Sequence, residues 1–359
     1  MQWINLLLIF IPIAFGLDHW HADPFIVFIA SALAIMPLAM LMEKATDALA
    51  SYLGPSYGGL LSATMGNAPE LIIGISALNH GLIDMLKGSI AGSVLGTLLF
   101  GVGLSMFVGG IGRPFQTFDR DMVSINSSLL MLGTFSMIIP AVFDFTTDVD
   151  QEISLHISVT LLLIYVASII HTLVRDGRSA DSIDIPPGHP VTKPKLKETP
   201  EWSRNTALTI LAAVAVALAV VSDLLTGSIQ PAADAMGLNP VFAGVFLLAM
   251  VGNIPQYMNS VSFAHKNKMT LALSINLGST TQLVLLVAPL LVISGTLMGL
   301  KMNLLFSNFE LIGVILSVNI ARSLIADNRS TWFEGLLLIG VYAMLGFGFY
   351  YLPHTAAAS

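Results

Sequence analysis

Two short stretches, MGNAPE at residues 65–70 and VGNIPQ at residues 251–256, share the pattern Gly-Asn-x-Pro inside long apolar segments. An amide, a helix-breaking proline and a carboxyl or carboxamide are unusual in such surroundings. A shift of 186 residues aligns the sequence with itself without a gap from Gly58 to Ser93 and also matches a downstream Gly-Ser pair. The shared spacing indicates an internal repeat, because chance matches between apolar residues would not preserve both patterns.

The composition is that of a helical membrane protein. Of the 359 residues, 55% are hydrophobic and 10% are charged, whereas soluble domains carry about 25% charged residues. Apolar runs of roughly 20 residues recur, and each could cross a ~30 Å hydrocarbon core. The absence of cysteine excludes disulfides and cysteine-based chemistry. The first apolar run, Leu6 to Leu17, lacks a basic leader and a small-residue cleavage site, so we interpret it as a retained helix.

We expect an all-α polytopic protein with eleven transmembrane helices. Their expected ranges are 3–17, 24–50, 57–79, 85–109, 121–143, 153–174, 205–226, 238–265, 270–296, 304–326 and 332–352. The expected domains are an N-terminal helix at 1–20, a first repeat of helices 2–6 at 21–174, a proline-rich cytoplasmic linker at 175–204, and a second repeat of helices 7–11 at 205–359. The two Gly-Asn-x-Pro copies lie five spans apart, so the halves are inverted, as in secondary transporters.

The distribution of lysine and arginine predicts the orientation. Loops 1–2, 3–4, 5–6, 7–8 and 9–10 carry only Lys87 and Lys301. The opposite loops and their helix ends carry Lys44, Arg113, Arg120, Arg175, Arg178, Lys193, Lys195, Lys197, Arg204, Lys266, Lys268, Arg322 and Arg329. The basic side is cytoplasmic by the positive-inside rule, which places the N-terminus inside and the C-terminus outside. A compact chain without visible organellar targeting suits a prokaryotic plasma membrane.

The repeated motif predicts a cluster of oxygen ligands. A proline inside a helix removes one backbone donor and displaces the carbonyl four residues earlier, and freed carbonyls at membrane depth must line a cavity or coordinate an ion. The carbonyls expected at the two breaks are those of Met65, Gly66, Val251 and Gly252. The expected side-chain ligands are Asn67 and Glu70 on helix 3, Asn253 and Gln256 on helix 8, Ser93 and Thr97 on helix 4, and Ser279 and Gln282 on helix 9. Such oxygens suit a hard cation.

Glu70 is the carboxylate of this cluster. Only its ionised form binds a cation, so a proton and a cation compete for it, as a cation/proton antiporter requires. The structural alternative is a protonated Glu70 that bonds a neighbouring helix. Candidates for a further acid are Glu43 and Asp47 near the cytoplasmic end of helix 2, where a solvated helix end is the alternative. Glu310 is another, unless it stabilises the start of helix 10.

Three segments resemble a known family. They are GNAPELIIGISALNHGLIDMLKGSIAGSVLGTLLFGVGLSMFVGG at 66–110, GNIPQYMNSVSFAHKNKMTLALSINLGSTTQLVLLVAPLLV at 252–292, and FELIGVILSVNIARSLIADNRSTWFEGLLLIGVYAMLGFGFYYLP at 309–353. They are similar to the two α-repeats and the last two helices of the calcium/proton exchanger (CAX) family, within the calcium/cation antiporter superfamily. The resemblance implies a sodium/calcium-exchanger-like fold with alternating access around a midplane site. The family's functional residues fall on Asn67, Glu70, Asn253 and Gln282.

This chain departs from the family pattern at two places. Gln256 and Tyr257 stand where the family has Glu and His, and Gly96 and Thr97 stand where it usually has Ser and Asn. With Gln256 neutral, Glu70 alone would leave about one net positive charge on a bound Ca²⁺, which is costly at membrane depth.

The predicted function is Ca²⁺/H⁺ exchange with Glu70 shared by proton and cation. Exchange of Na⁺ or another monovalent cation for H⁺, a non-transporting paralogue and a channel stay open, while an intramembrane enzyme is disfavoured. No cofactor and no nucleic acid are expected. The partners are inorganic cations, protons and the lipid bilayer.

Overall fold

In the computed structural model, the described residues 6–53, 55–144, 150–181 and 202–353 form a bundle of apolar helices. A short 3₁₀ turn at Leu6–Ile9 leads into the first of them. The helices are α1 (Phe10–His19), α2 (Pro24–Leu53), α3 (Pro55–Gly66 and Ala68–Asn79), α4 (Ile83–Gly110), α5 (Arg120–Asp144), α6 (Asp150–Asp181), α7 (Arg204–Ala235), α8 (Pro240–His265), α9 (Met269–Leu297), α10 (Asn308–Leu324) and α11 (Trp332–Tyr350). Within the described residues, seven helices are long and apolar enough to cross a membrane: α2, α4, α6, α7, α8, α9 and α11.

Two helices, α6 and α7, extend well beyond their predicted C-terminal ends. α7 continues to Ala235 rather than ending at residue 226, because Ile229, Ala232 and Ala233 are fully buried and keep this polar-looking stretch packed as a helix. α6 continues to Asp181, so the first residues of the expected linker are helical. Most of that linker, with its three lysines, lies outside the described residues.

The connections with many basic residues contact one another. β1 (Gln116–Thr117), between α4 and α5, pairs antiparallel with β2 (Arg329–Ser330), between α10 and α11. Gln116 also donates to the carbonyl of Ala264 at 3.0 Å and to the side chain of Asn267 at 2.9 Å, which adds the α8–α9 connection. These contacts join connections that the charge pattern predicts to lie on the same side of the membrane.

The connections with few basic residues contact one another as well. Lys87, near the start of α4, donates to Asn303 at 2.5 Å, between α9 and α10. Gln151, at the start of α6, donates to the carbonyl of Met302 at 2.9 Å. Asn239, just before α8, donates to the carbonyl of Phe349 near the end of α11 at 2.9 Å. The two sets of connections predicted from charge are therefore also grouped by contact.

The centre of the bundle is formed by a close crossing of α4 and α8. A Cβ atom at Gly92 would collide with the backbone of Val245, and one at Gly244 would collide with the backbone of Met85. Only glycine allows this approach, which brings the motif of α8 beside α4. The segments Gly96–Gly101 in α4, Ala243–Leu248 in α8 and Leu283–Val287 in α9 are π-helical, a feature often found at functional sites.

Candidate cation site

The first copy of the motif interrupts α3. Asn67 has φ −105° and ψ 14°, outside the helical region, and separates the two segments of the helix. Pro69 lies in the first turn of the second segment, where its missing N–H is not needed. Met65 and Gly66 end the first segment and line a cavity. The break falls where the proline and the preceding glycine predict it.

The second copy does not interrupt α8, which corrects the expectation for Val251 and Gly252. The helix is continuous from Ala249 to His265 and contains Pro255. The backbone irregularity lies upstream instead, in the π-helical segment that ends at Leu248. A proline inside a helix leaves the carbonyl four residues earlier without its usual donor but need not end the helix, and here the helix continues through it. The carbonyls of Val251 and Gly252 are therefore not at a helix break in this conformation.

Asn67 and Gln256 meet at Ser279 of α9. The hydroxyl of Ser279 lies 2.6 Å from Asn67 Oδ1 and 2.8 Å from Gln256 Oε1. Asn67 Nδ2 donates to Gln282 Oε1 at 2.9 Å. A serine hydroxyl carries one proton, so it cannot satisfy both amide oxygens at once. The amide oxygens of Asn67 and Gln256 therefore converge on one hydroxyl, and neutral oxygens of this kind are among the ligands that hard cations accept.

A matching set surrounds Asn253. Its Nδ2 donates to Ser93 Oγ at 2.9 Å and to the carbonyl of Ala249 at 2.8 Å. Thr97 donates to Asn253 Oδ1 at 3.3 Å. Each asparagine of the repeated motif therefore contacts the serine of the other half of the chain. The structure brings seven of the eight predicted ligands into two hydrogen-bonded groups, one around Ser279 and one around Asn253.

Glu70 lies between two cavities. The larger one, about 290 Å³, is bounded by α2, α3, α8 and α9 and reaches Asp47 and Ser274 near the α2–α3 and α8–α9 connections. A smaller one, about 20 Å³, reaches Ser89 and Leu291 towards the other end. Glu70 and Gly252 line both. Glu70 is thus the carboxylate at the boundary between the two cavities.

Two polar atoms of the site are buried and have no hydrogen-bond partner among the described residues. They are Oε2 of Glu70 and Nε2 of Gln256. An unpaired polar atom in a low-dielectric interior is costly, roughly 1–3 kcal/mol for a neutral group and more for a charge. Such atoms in a native structure commonly mark functional positions. Glu70 has both the position and the free oxygen of a proton or cation carrier.

The three candidates for a further acid differ in whether they line a cavity. Glu43 and Asp47 line the larger cavity together with Glu70. Glu310 does not line either cavity. Its Oε2 accepts from the backbone N–H and the hydroxyl of Ser307, both at 2.8 Å, which completes a capping box at the start of α10. The suggestion that Glu310 supplies the missing carboxylate is therefore corrected, because its carboxyl is used to cap its own helix.

The positions that depart from the family pattern are in contact. The Tyr257 hydroxyl occupies the space that a Cβ atom at Gly96 would need, and it lies beside the side chain of Thr97. Serine at position 96 would collide with this tyrosine. The changes at 96 and 97 and the change at 257 therefore form one rearranged contact between α4 and α8.

One polar contact was not anticipated from the sequence. Asn259, one turn after Gln256 on α8, donates to Glu43 Oε2 at 2.6 Å. The available signal was its spacing of three residues from Gln256, which places both on one helix face. The partner on α2 could not be identified from that spacing.

Comparison with protein families confirms the resemblance drawn from the sequence. The family model described as sodium/calcium exchanger protein matches residues 24–174 and 206–351. A Ca²⁺/H⁺ antiporter of Aphanothece halophytica is 37% identical over 363 residues, which cover 97% of this chain and 96% of that protein. The Ca²⁺/H⁺ antiporter ChaA of Bacillus subtilis is 35% identical over 340 residues, which cover 94% of this chain and 95% of that protein.

Solved structures support the fold. Native YfkE superposes with a TM-score of 0.82 at 31% identity, over 97% of this chain and 99% of that one. The H⁺/Ca²⁺ exchanger CAX superposes with a TM-score of 0.72 over 97% of this chain and 91% of that one. Its sequence identity is 13%, so this second likeness concerns the fold alone.

Proposed function

We propose that this chain, which belongs to the sodium/calcium exchanger protein family, exchanges Ca²⁺ for protons across a membrane. The observation that carries the proposal is the position of Glu70, whose buried and unpaired oxygen lies at the boundary between two cavities. The names of the antiporters that cover nearly the whole chain support Ca²⁺ as the cation. The cation is cargo, and the proposal includes no cofactor and no enzymatic step.

The exchange depends on competition at one carboxyl. When protonated, Glu70 is neutral and can lie at membrane depth without a counter-ion. When Ca²⁺ enters, Glu70 releases its proton and contributes negative charge, while the oxygens of Asn67, Gln256 and Ser279 contribute neutral ligands. Because only one of the two ions can occupy the carboxyl, each passage of Ca²⁺ in one direction requires protons to move in the other.

We further propose the architecture that this mechanism needs. All eleven helices cross the membrane, and 21–174 and 205–359 are inverted repeats joined by the linker 175–204, after a separate first helix at 1–20. The reciprocal contacts of Asn67 with Ser279 and of Asn253 with Ser93 support this arrangement. So does the equivalent position of the π-helical segments in α4 and α9.

The proposed orientation follows the positive-inside rule, with a cytoplasmic N-terminus, an external C-terminus and a prokaryotic plasma membrane as the location. Asp47 and Ser274, which line the larger cavity, lie near the basic connections. The conformation described above is then inward-facing. The smaller cavity is the constricted path to the outside. In the outward-facing state of alternating access, this path is wide and the path to the cytoplasm is constricted.

The test is ion flux into proteoliposomes under an imposed pH gradient, measured separately for Ca²⁺ and Na⁺. Gradient-driven Ca²⁺ uptake is expected for the wild type and for Glu152→Gln, an exposed control on α6. It should be lost in Glu70→Gln, which cannot release a proton. If wild-type vesicles move Na⁺ but not Ca²⁺, and Ca²⁺ flux appears only in Gln256→Glu, the cation that the wild type exchanges is monovalent and not Ca²⁺. Absence of proton-coupled flux of either ion would overturn the proposal.

A further inference from the structure

The motif on α3 and α8 provides one carboxylate for a divalent cation. Glu70 is ionisable, but Gln256 is neutral. A Ca²⁺ ion balanced only by Glu70 would keep about one unit of positive charge inside the membrane, which is strongly unfavourable. Charge balance therefore calls for a second acid on the wall of the same cavity. Among the described residues that line it, the acids other than Glu70 are Glu43 and Asp47.

Glu43 is held beside the position where the second carboxylate is missing. Its Oε2 accepts a 2.6 Å hydrogen bond from Nδ2 of Asn259. Asn259 follows Gln256 by three residues on α8, which is roughly 4.5 Å along the helix axis. Glu43 is half-buried and lines the same cavity as Glu70. Because Asn259 is a neutral donor, this bond orients the Glu43 carboxyl without cancelling its charge.

The other acids are less suited to this role. Asp47 lies one turn further along α2 and is exposed, and its carboxylate accepts a hydrogen bond from Ser62 at 3.0 Å. A charge in contact with solvent balances an ion at Glu70 only weakly. Glu310 caps α10 and does not line the cavity. Lys44, the basic residue next to Glu43, lies over the ring of Trp202 at 5.0 Å.

We infer that Glu43 is the second carboxylate of the exchange, which carries the charge that Gln256 lacks. This inference rests on the proposed Ca²⁺/H⁺ exchange. One Ca²⁺ enters as two protons leave, one from Glu70 and one from Glu43, so the net charge of the cavity is the same in both states. Asn259 is the positioning residue of Glu43.

The proton count of Ca²⁺ binding tests this inference directly. Calorimetry of the detergent-solubilised full chain, in two buffers with different heats of ionisation, gives the number of protons released per Ca²⁺. The measurement is repeated from acidic to neutral pH, and the maximum is compared between proteins. Wild type and Glu152→Gln should release about two protons, whereas Glu43→Gln should release about one, because binding is coupled to deprotonation of the ligands. We also expect Glu43→Gln to raise the Ca²⁺ dissociation constant about tenfold.

Two further variants separate charge from structure. Glu43→Asp keeps a carboxyl and should keep the release of about two protons, even where its affinity is lower. Adding Gln256→Glu to Glu43→Gln should restore both the second proton and most of the affinity. A purely structural Glu43 would show neither form of rescue.

The possible failures are distinguishable. If Glu43→Gln binds Ca²⁺ with wild-type affinity and releases the wild-type number of protons, this inference is overturned and exchange at Glu70 stands. Release of about one proton by the wild type would have the same meaning. If the wild type neither binds nor exchanges Ca²⁺, the proposed function fails, and the role of Glu43 in it fails too.

Discussion

At the scale of single residues, Tyr257 and Gly96 constrain each other. The tyrosine hydroxyl fills the space beside Gly96 and lies beside Thr97, which donates to Asn253. The ring of Phe100 packs edge-on against the tyrosine, with ring centroids 5.5 Å apart. A large side chain on α8 is therefore matched by the absence of one on α4. Through Thr97, this contact adjoins the Asn253 amide.

Gly96→Ala should destabilise the protein by about 1–3 kcal/mol, because the added methyl group collides with the Tyr257 hydroxyl in a close-packed interior. Tyr257→Phe removes that hydroxyl, so the double variant should recover part of the loss. The measurement is the thermal unfolding midpoint in detergent for both single variants and the double variant. A coupling energy of about 0.5–3 kcal/mol is expected for residues in contact. Strictly additive shifts would mean that the two residues do not constrain each other.

At the scale of helices, α3 and α8 carry the same motif in two different backbone conformations. α3 is interrupted at Asn67, whereas α8 runs without a break through Pro255. If the halves are inverted repeats, the opposite-facing state is expected to exchange these conformations, with α3 continuous and α8 interrupted. A helix that is continuous in one state would then need a position at which it can be interrupted in the opposite-facing state. Pro255 provides it, since it leaves one backbone bond of α8 unmade.

Pro255→Ala should therefore raise stability and slow transport together. Removing a proline from a helix interior restores a backbone hydrogen bond and favours the continuous form of α8. The unfolding midpoint in detergent should rise, while the Ca²⁺ turnover in proteoliposomes should fall. Pro231→Ala is the matched control, because Pro231 also lies inside a helix but far along α7. A wild-type turnover in Pro255→Ala would contradict a role for this proline in the conformational change.

At the scale of the whole molecule, two cavities extend from Glu70 towards opposite ends of the bundle. The wide cavity reaches Ser274 near the basic connections, and the narrow one extends from Glu70 towards the other end. The absence of cysteine from the sequence makes single-cysteine labelling straightforward. Ser274→Cys is nearly isosteric and reports on the wide cavity. Leu297→Cys, at the end of α9, reports on the opposite side, where the leucine is 83% exposed.

A membrane-impermeant maleimide should label these two variants from opposite sides. Ser274→Cys should react in inside-out vesicles and stay unreacted in right-side-out cells, because its cavity opens to the cytoplasm in the inward-facing state. Leu297→Cys should show the reverse. Labelling of Ser274→Cys from outside would refute the proposed orientation. Equal labelling from both sides would refute a constriction beside Glu70.

Local chemistry made much of this protein predictable. The membrane class follows from apolar runs and low charge, and the position of the break in α3 follows from Gly66 and Pro69. The repeat at a shift of 186 residues identified Asn67, Asn253 and their serine partners as candidate ligands, because one spacing preserved in two copies restricts how the helices can meet. Helix periodicity and proline chemistry act over a few residues, so they can be read without knowing the packing.

Only the tertiary structure decided the contacts between distant helices. The pairing of Glu43 with Asn259 joins residues 216 positions apart, and no local pattern specifies such a partner. The continuity of α8 through Pro255, in contrast to the break in α3 at Asn67, is likewise not specified by the shared motif. The use of Glu310 as a cap was one of two readings that its sequence position allowed. These features depend on how α2, α4 and α8 pack around the cavity, and that packing is set by the whole chain rather than by any one segment.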